Sequence, residues 1–169
     1  MEVNGLSEKE SNGKTGKMSS DDYYEEGMLL YNKEDYIKAI KYFNRSLRLN
    51  PENVKAWNSK AYTLYYISAF KRAVKCYNRI IELFPDTPDA IKAWRRKAYI
   101  FFLEGKYEEA VISYNKVLEV FPNDTYIKIQ REKALNLINK EAHKEEGVAV
   151  ILKNSAWEID IATVTEEED

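Results

Sequence analysis

From residue 20 into the 140s, apolar residues recur at helical spacing, and the same arrangement returns in a longer rhythm. Tyr23, Trp57 and Trp94 stand at place 4 of a 34-residue unit, and the small residues Gly27, Ala61 and Ala98 stand at place 8. Ala39, Ala73 and Ala110 stand at place 20, Phe43, Tyr77 and Tyr114 at place 24, and Pro51, Pro85 and Pro122 at place 32. Each copy reads as two amphipathic helices, over places 1–14 and roughly 15–30, with apolar residues three and four apart on the faces that meet. Small residues at places 8 and 20 allow the two helices to approach closely. The proline cannot continue a helix, because it has no N–H and its ring clashes with the preceding turn.

The copies occupy 20–53, 54–87 and 91–124. Pro88, Asp89 and Ala90 are additional and are expected to lengthen the turn between copies two and three. Gly105 supplies a helix stop in the third copy, whereas Ser68-Ala69 in the second predicts a less sharply defined turn. Tyr36, Phe70 and Tyr107 at place 17 are expected to pack under these turns, and Glu26, Lys60 and Lys97 at place 7 to face solvent. Beyond Pro122, Asp124 is a good N-cap for a helix over 125–146, with Ile127, Ala134 and Ile138 on one face and charged residues on the other. Residues 1–19 are polar and glycine-containing, and read as disordered. In 147–169 the period changes: Val148, Val150 and Leu152 alternate, then Trp157, Ile159 and Ile161, as in strands. That tail can be a flexible segment, can dock on its own body or a second copy, or can serve another protein.

The 34-residue unit, with its aromatic, small and proline positions agreeing in three copies, resembles the tetratricopeptide repeat (TPR) family over residues 20–146. The resemblance implies an all-α right-handed superhelix of three helix-turn-helix repeats plus a C-terminal capping helix. Place 27, usually alanine in the family, is Ser46, Ile80 and Val117, so slightly wider helix spacing is expected. The family's first helices line a concave face with places 2, 5, 6, 9, 12 and 13. On that basis the candidate peptide-binding groove comprises Tyr24, Met28 and Tyr31 from the first copy, and Lys55, Asn58, Tyr62, Tyr65 and Tyr66 from the second. Lys92, Arg95, Arg96, Tyr99 and Phe102 come from the third. Aromatic side chains offer large contact area at low entropy cost, and arginine can grip a carboxylate through two parallel hydrogen bonds.

The implied function is a non-enzymatic scaffold that binds a peptide or protein segment. The alternative is a co-chaperone-like binder of acidic C-terminal peptides. The clamp of such proteins has Lys and Asn at places 5 and 9 of one repeat, Asn at place 6 of the next, and Lys and Arg at places 2 and 6 of the third. Here Lys92 and Arg96 match the last pair, while Tyr24, Met28 and Ser59 occupy the other three positions.

Composition narrows the picture. Charged residues are 32% and hydrophobic ones 44%, a balance that fits a protein in aqueous surroundings, and no apolar run approaches the ~18 residues of a membrane span. One cysteine, Cys76, excludes an internal disulfide and suits a reducing compartment, so a cytoplasmic protein is expected. The net charge of −2 divides into −5 on residues 147–169 and +3 on the remainder. The acidic stretch Glu166 to Asp169 raises self-association through the tail as a further expectation. Lys92, Arg95, Arg96 and Lys97 form only a short basic run, which disfavours nucleic acid as partner. The lone histidine, His143, falls near the end of the last helix, and Cys76 at a packed helical position. No phosphate-binding glycine loop or paired Cys/His motif appears, so neither catalysis, metal nor cofactor is expected.

Overall fold

The computed structural model describes residues 17–144. Six helices follow one another: α1 (Ser20–Asn32), α2 (Tyr36–Leu49), α3 (Val54–Tyr66), α4 (Phe70–Leu83), α5 (Pro88–Leu103) and α6 (Tyr107–Val120). A further helix, α7, occupies 125–144. The pairs α1/α2, α3/α4 and α5/α6 are helix-turn-helix units stacked into an all-α superhelix, with α7 closing the third. The strand-like tail, its acidic stretch and the first sixteen residues lie outside the described residues. Ser19, placed by the sequence in the N-terminal segment, is the N-cap of α1 and exchanges a capping box with Asp22.

The turns inside the three pairs share one geometry. Glu34, Ser68 and Gly105 take left-handed φ values of 61°, 58° and 72°. In each, two backbone N–H groups return to carbonyls of the helix just ended: Glu34 to Tyr31 and Asp35 to Leu30, Ser68 to Tyr65 and Ala69 to Leu64, Gly105 to Phe102 and Lys106 to Phe101. The second turn is therefore as sharply defined as the third, contrary to the expectation from Ser68-Ala69. The hydrogen bonds hold a serine where glycine would be unstrained.

Pro88, Asp89 and Ala90 also differ from expectation. They form the first turn of α5 and do not lengthen the loop. Thr87 is the N-cap, its hydroxyl oxygen accepting from the Ala90 N–H at 3.3 Å, with Pro88 in the first turn and Asp89 complementing the helix dipole. The three additional residues make α5 sixteen residues long against thirteen in α1 and α3.

The core lies between first and second helices. Ala39, Ala73 and Ala110 are fully buried, as are Ala61 and Ala98 opposite them. Place 27 holds Ser46, Ile80 and Val117, each at 0% exposure. Ser46 remains satisfied there by joining a polar node between the first two repeats. Its hydroxyl lies 3.0 Å from that of Ser20, and the Asn53 amide donates to it at 3.3 Å.

Place 7 is not simply solvent-facing. Lys60 lies 4.9 Å from the Trp57 ring centroid, and Lys97 lies 4.4 Å from that of Trp94. Both are half-buried on the tryptophan of place 4 one helical turn before, a favourable cation–π arrangement. In the first repeat place 7 is Glu26, and the cation comes from Arg45 of α2, 5.8 Å from Tyr23.

α7 sits as the first helix of a fourth unit. Ile127 and Ala134 are fully buried, in the same register as Ala56 and Thr63 of α3 and Ala93 and Ile100 of α5. This packing brings α7 to the concave side.

Candidate functional site

The concave face is built by α1, α3, α5 and α7. Helical spacing aligns Met28, Tyr62 and Tyr99 at place 9 of successive first helices, and they look into one groove. A cavity of about 580 Å³ is lined by Tyr62, Tyr65, Tyr77, Lys92, Arg95, Arg96, Tyr99, Ile100, Tyr114, Tyr126 and Ile127. A second, of about 300 Å³, is lined by Met28, Tyr31, Asn58, Ser59, Tyr62, Asp89, Lys92 and Arg96. Tyr62, Lys92 and Arg96 belong to both, so the two cavities are neighbouring parts of one trough.

Its floor is a run of tyrosines. Ring centroids are 6.1 Å apart for Tyr31 and Tyr62, 6.2 Å for Tyr62 and Tyr65, and 6.2 Å for Tyr65 and Tyr99. Arg96 stands over Tyr62 with its guanidinium carbon 5.0 Å from the ring centroid. At that distance the cation and the ring face attract each other. Lys92 approaches Asp89 at 3.7 Å, a loose contact between exposed groups. Burial raises the Tyr31 and Tyr65 phenols above their ordinary value, helped by the neighbouring tyrosines. At neutral pH both carry a proton that can be donated to a ligand carbonyl.

Not every candidate residue converges here. Tyr24 packs its ring 6.1 Å from that of Phe43, in its own helix pair. Tyr66 lies beside Tyr36, with centroids 5.0 Å apart, and Phe102 lies against Tyr107 at 5.6 Å. Lys55 is exposed on the groove-facing stripe of α3, outside both cavities. Arg95 lines the larger cavity but is held by an ion pair with Asp124, which also caps α7 by accepting from the Ile127 N–H at 3.0 Å. Its charge is thus shared with a structural carboxylate, leaving Lys92 and Arg96 as the cations most available to a ligand.

The structure adds residues that place-by-place reading of first helices missed. Tyr77 and Tyr114, at place 24 of the second helices, reach the groove from beneath, and both phenols are pushed up to about 12 by burial. The signal was present: the first repeat has Phe43 at this place, and a tyrosine in a core position needs an outlet for its hydroxyl. Tyr126 was missed because α7 was read only as a cap. Counted as place 2 of a fourth first helix, it belongs to the inward set.

Cys76 is buried, and burial raises its thiol, which suits packing and not nucleophilic attack. Among the described residues, no group of three or more metal-ligating side chains is gathered, and no helix is long and apolar enough to cross a membrane.

Three consecutive matches to the tetratricopeptide repeat family cover 20–53, 54–87 and 91–124, more than half the chain. The chain belongs to the tetratricopeptide repeat family. Among curated relatives, an uncharacterized protein of Methanocaldococcus jannaschii is 39% identical over 57 residues, which are 34% of this chain and 66% of that protein. The peroxisomal targeting signal receptor of Saccharomyces cerevisiae is 34% identical over 59 residues, 35% of this chain and 10% of the receptor. The matched stretch is thus less than two thirds of either relative. A solved structure of the first TPR of Spaghetti (RPAP3), bound to the HSP90 peptide SRMEEVD, superposes with a TM-score of 0.62. It is 22% identical, covering 72% of this chain and 94% of that one, and at this identity the likeness is one of fold.

Proposed function

We propose that this protein is a non-enzymatic interaction scaffold that holds a segment of another protein along its concave face. The observation that carries this reading is the continuous trough whose two parts share Tyr62, Lys92 and Arg96. A mostly aromatic floor with a few polar and cationic groups suits recognition of an extended chain: side chains bury on the rings, while hydroxyls and cations meet backbone carbonyls and carboxylates. A photocrosslinking residue at position 62 tests it against one at position 37, where Ile37 is 60% exposed away from the groove. Adducts with protein partners are expected from position 62. Adducts from position 37 alone overturn the reading.

A second reading, capture of an acidic C-terminal peptide, is favoured by Lys92 and Arg96, the pair that matches the family's clamp. Tyr24, Met28 and Ser59 replace the other clamp residues, so this reading requires repeat three to supply the anion contacts. Titrating the peptide SRMEEVD against wild type and Lys92→Ala/Arg96→Ala decides it. Absence of binding, or affinity indifferent to both substitutions, removes the clamp and leaves the general groove standing.

A further inference from the structure

Charge changes sign along the groove-facing stripe. Places 2 and 6, one helical turn apart, hold Asp21 and Glu25 in α1, Lys55 and Ser59 in α3, and Lys92 and Arg96 in α5. The five charged residues are all exposed. Formal charge on these places therefore runs −2, +1, +2 from α1 to α5. At the next inward place the same helices present Met28, Tyr62 and Tyr99, which line the trough with Lys92 and Arg96, while Asp21, Glu25 and Lys55 continue the same two places on α1 and α3 just outside its lining. At the α5 end Arg96 stacks over Tyr62, and Asp89 lines the smaller cavity beside Lys92 and Arg96. Among the described residues, Asp21 receives a long contact, 3.4 Å, from the Asn53 amide, and Lys92 keeps a 3.7 Å approach to Asp89.

We infer that the occupant of the groove is a bipolar protein segment. A basic side chain lies toward Asp21 and Glu25, an acidic one toward Lys92 and Arg96, and an apolar or aromatic one on the Tyr62–Tyr99 floor between them. This rests on the concave face being a binding groove, as proposed above. Packed helices run about 10 Å apart, so the α1 and α5 ends are separated by about 20 Å. An extended chain advances about 3.3 Å per residue, which places the basic and acidic side chains about six residues apart. A uniformly acidic peptide would meet like charge at α1. Complementary potentials act chiefly on specificity and orientation, and rim charges in water change affinity by factors of a few.

A display library of random nonamers, carried inside a fusion so that no free terminal carboxylate is offered, is selected on the full chain. Enriched sequences are expected to carry Lys or Arg about six residues from Asp or Glu, with an aromatic or aliphatic residue between. Selection on Asp21→Lys/Glu25→Lys is expected to replace the basic preference by an acidic one. Selection on Lys92→Glu/Arg96→Glu should turn the acidic preference basic. For the best peptide, exchanging its basic residue for Gln should weaken binding about threefold on wild type and not at all on Asp21→Ala/Glu25→Ala. Uniformly acidic or charge-free winners overturn the inference, as does a basic preference indifferent to Asp21→Lys/Glu25→Lys. In those cases the groove still binds and the earlier reading survives. Failure of any peptide to enrich, or winners that bind a Tyr62→Ala/Tyr99→Ala variant equally well, overturns the groove reading and this inference together.

Discussion

Gly27 of α1 and Phe43 of α2 are so close that a Cβ on Gly27 would lie 2.6 Å from the Cε1 atom of the Phe43 ring. Phe43 is fully buried and has nowhere to retreat. Ala in place of Gly in a helix interior normally gains up to about 1 kcal/mol, but overpacking a tight core costs about 1–3 kcal/mol. The clash wins, so Gly27→Ala is expected to destabilise by about 1–2 kcal/mol in urea denaturation. Adding Phe43→Leu should recover part of that loss, because the shorter side chain vacates the contested space. A double variant that loses the sum of the two single losses would show that the contact is not what limits position 27.

The left-handed turns predict the opposite sign. A non-glycine residue at positive φ carries a penalty of about 1 kcal/mol, partly offset in a glycine variant by the greater freedom of the unfolded chain. Ser68→Gly and Glu34→Gly are each expected to stabilise by about 0.5 kcal/mol, and Gly105→Ala to destabilise by about 1 kcal/mol. Thermal midpoints of the three variants check this. A drop for Ser68→Gly would mean that its side chain matters more than its backbone.

Asn53 joins two roles at the first repeat junction. Its Oδ1 accepts from the Ala56 N–H at 3.1 Å to cap α3, while its Nδ2 donates to Ser46 and Ser20. Loss of a cap costs about 1 kcal/mol, and leaving buried polar partners unmatched adds 1 or more. Asn53→Ala should therefore destabilise by about 2 kcal/mol. Asn53→Asp keeps the cap and loses the amide donor, and is expected to fall between them in chemical denaturation.

Two buried phenols give an alkaline signature. Tyr77 and Tyr114 hold their protons up to about 12 when folded, against 10.0 for an unperturbed tyrosine. Between those values the unfolded chain has released protons that the folded chain still binds, so stability falls as pH rises across the window. Below pH 10 neither group contributes a slope. Denaturation followed from pH 9 to 12 is expected to show the decline, and Tyr77→Phe to make it shallower. An unchanged slope in that variant would place the sensitivity elsewhere.

The repeat register was legible because small, aromatic and proline residues each answer a steric demand that recurs with the fold, and three copies expose the period. Helix α5 shows where that reading stopped. An extra Pro-Asp-Ala between two copies predicts a longer turn, yet proline after a threonine cap is also how a helix begins, and the structure takes the second course. The groove was legible in its stripe, Met28, Tyr62 and Tyr99, since helical spacing alone places it. Tyr77 and Tyr114 lie on second helices, outside the places that helical spacing assigns to the concave face, so only their hydroxyls at a core place hint that they reach the groove. Arg95 was legible as a cation, but its tie to Asp124 depends on how α7 docks, which no local pattern records.

Repeats one to three keep Gly27, Ala61 and Ala98 where the second helix presses against the first, and at the equivalent place α7 has Glu132, which is exposed. A helix laid across α7 in the same manner would have to bury a carboxylate opposite its own backbone, at a cost of several kcal/mol. Glu132 thus disfavours a second helix packed on α7 in the manner in which α2, α4 and α6 pack on their partners.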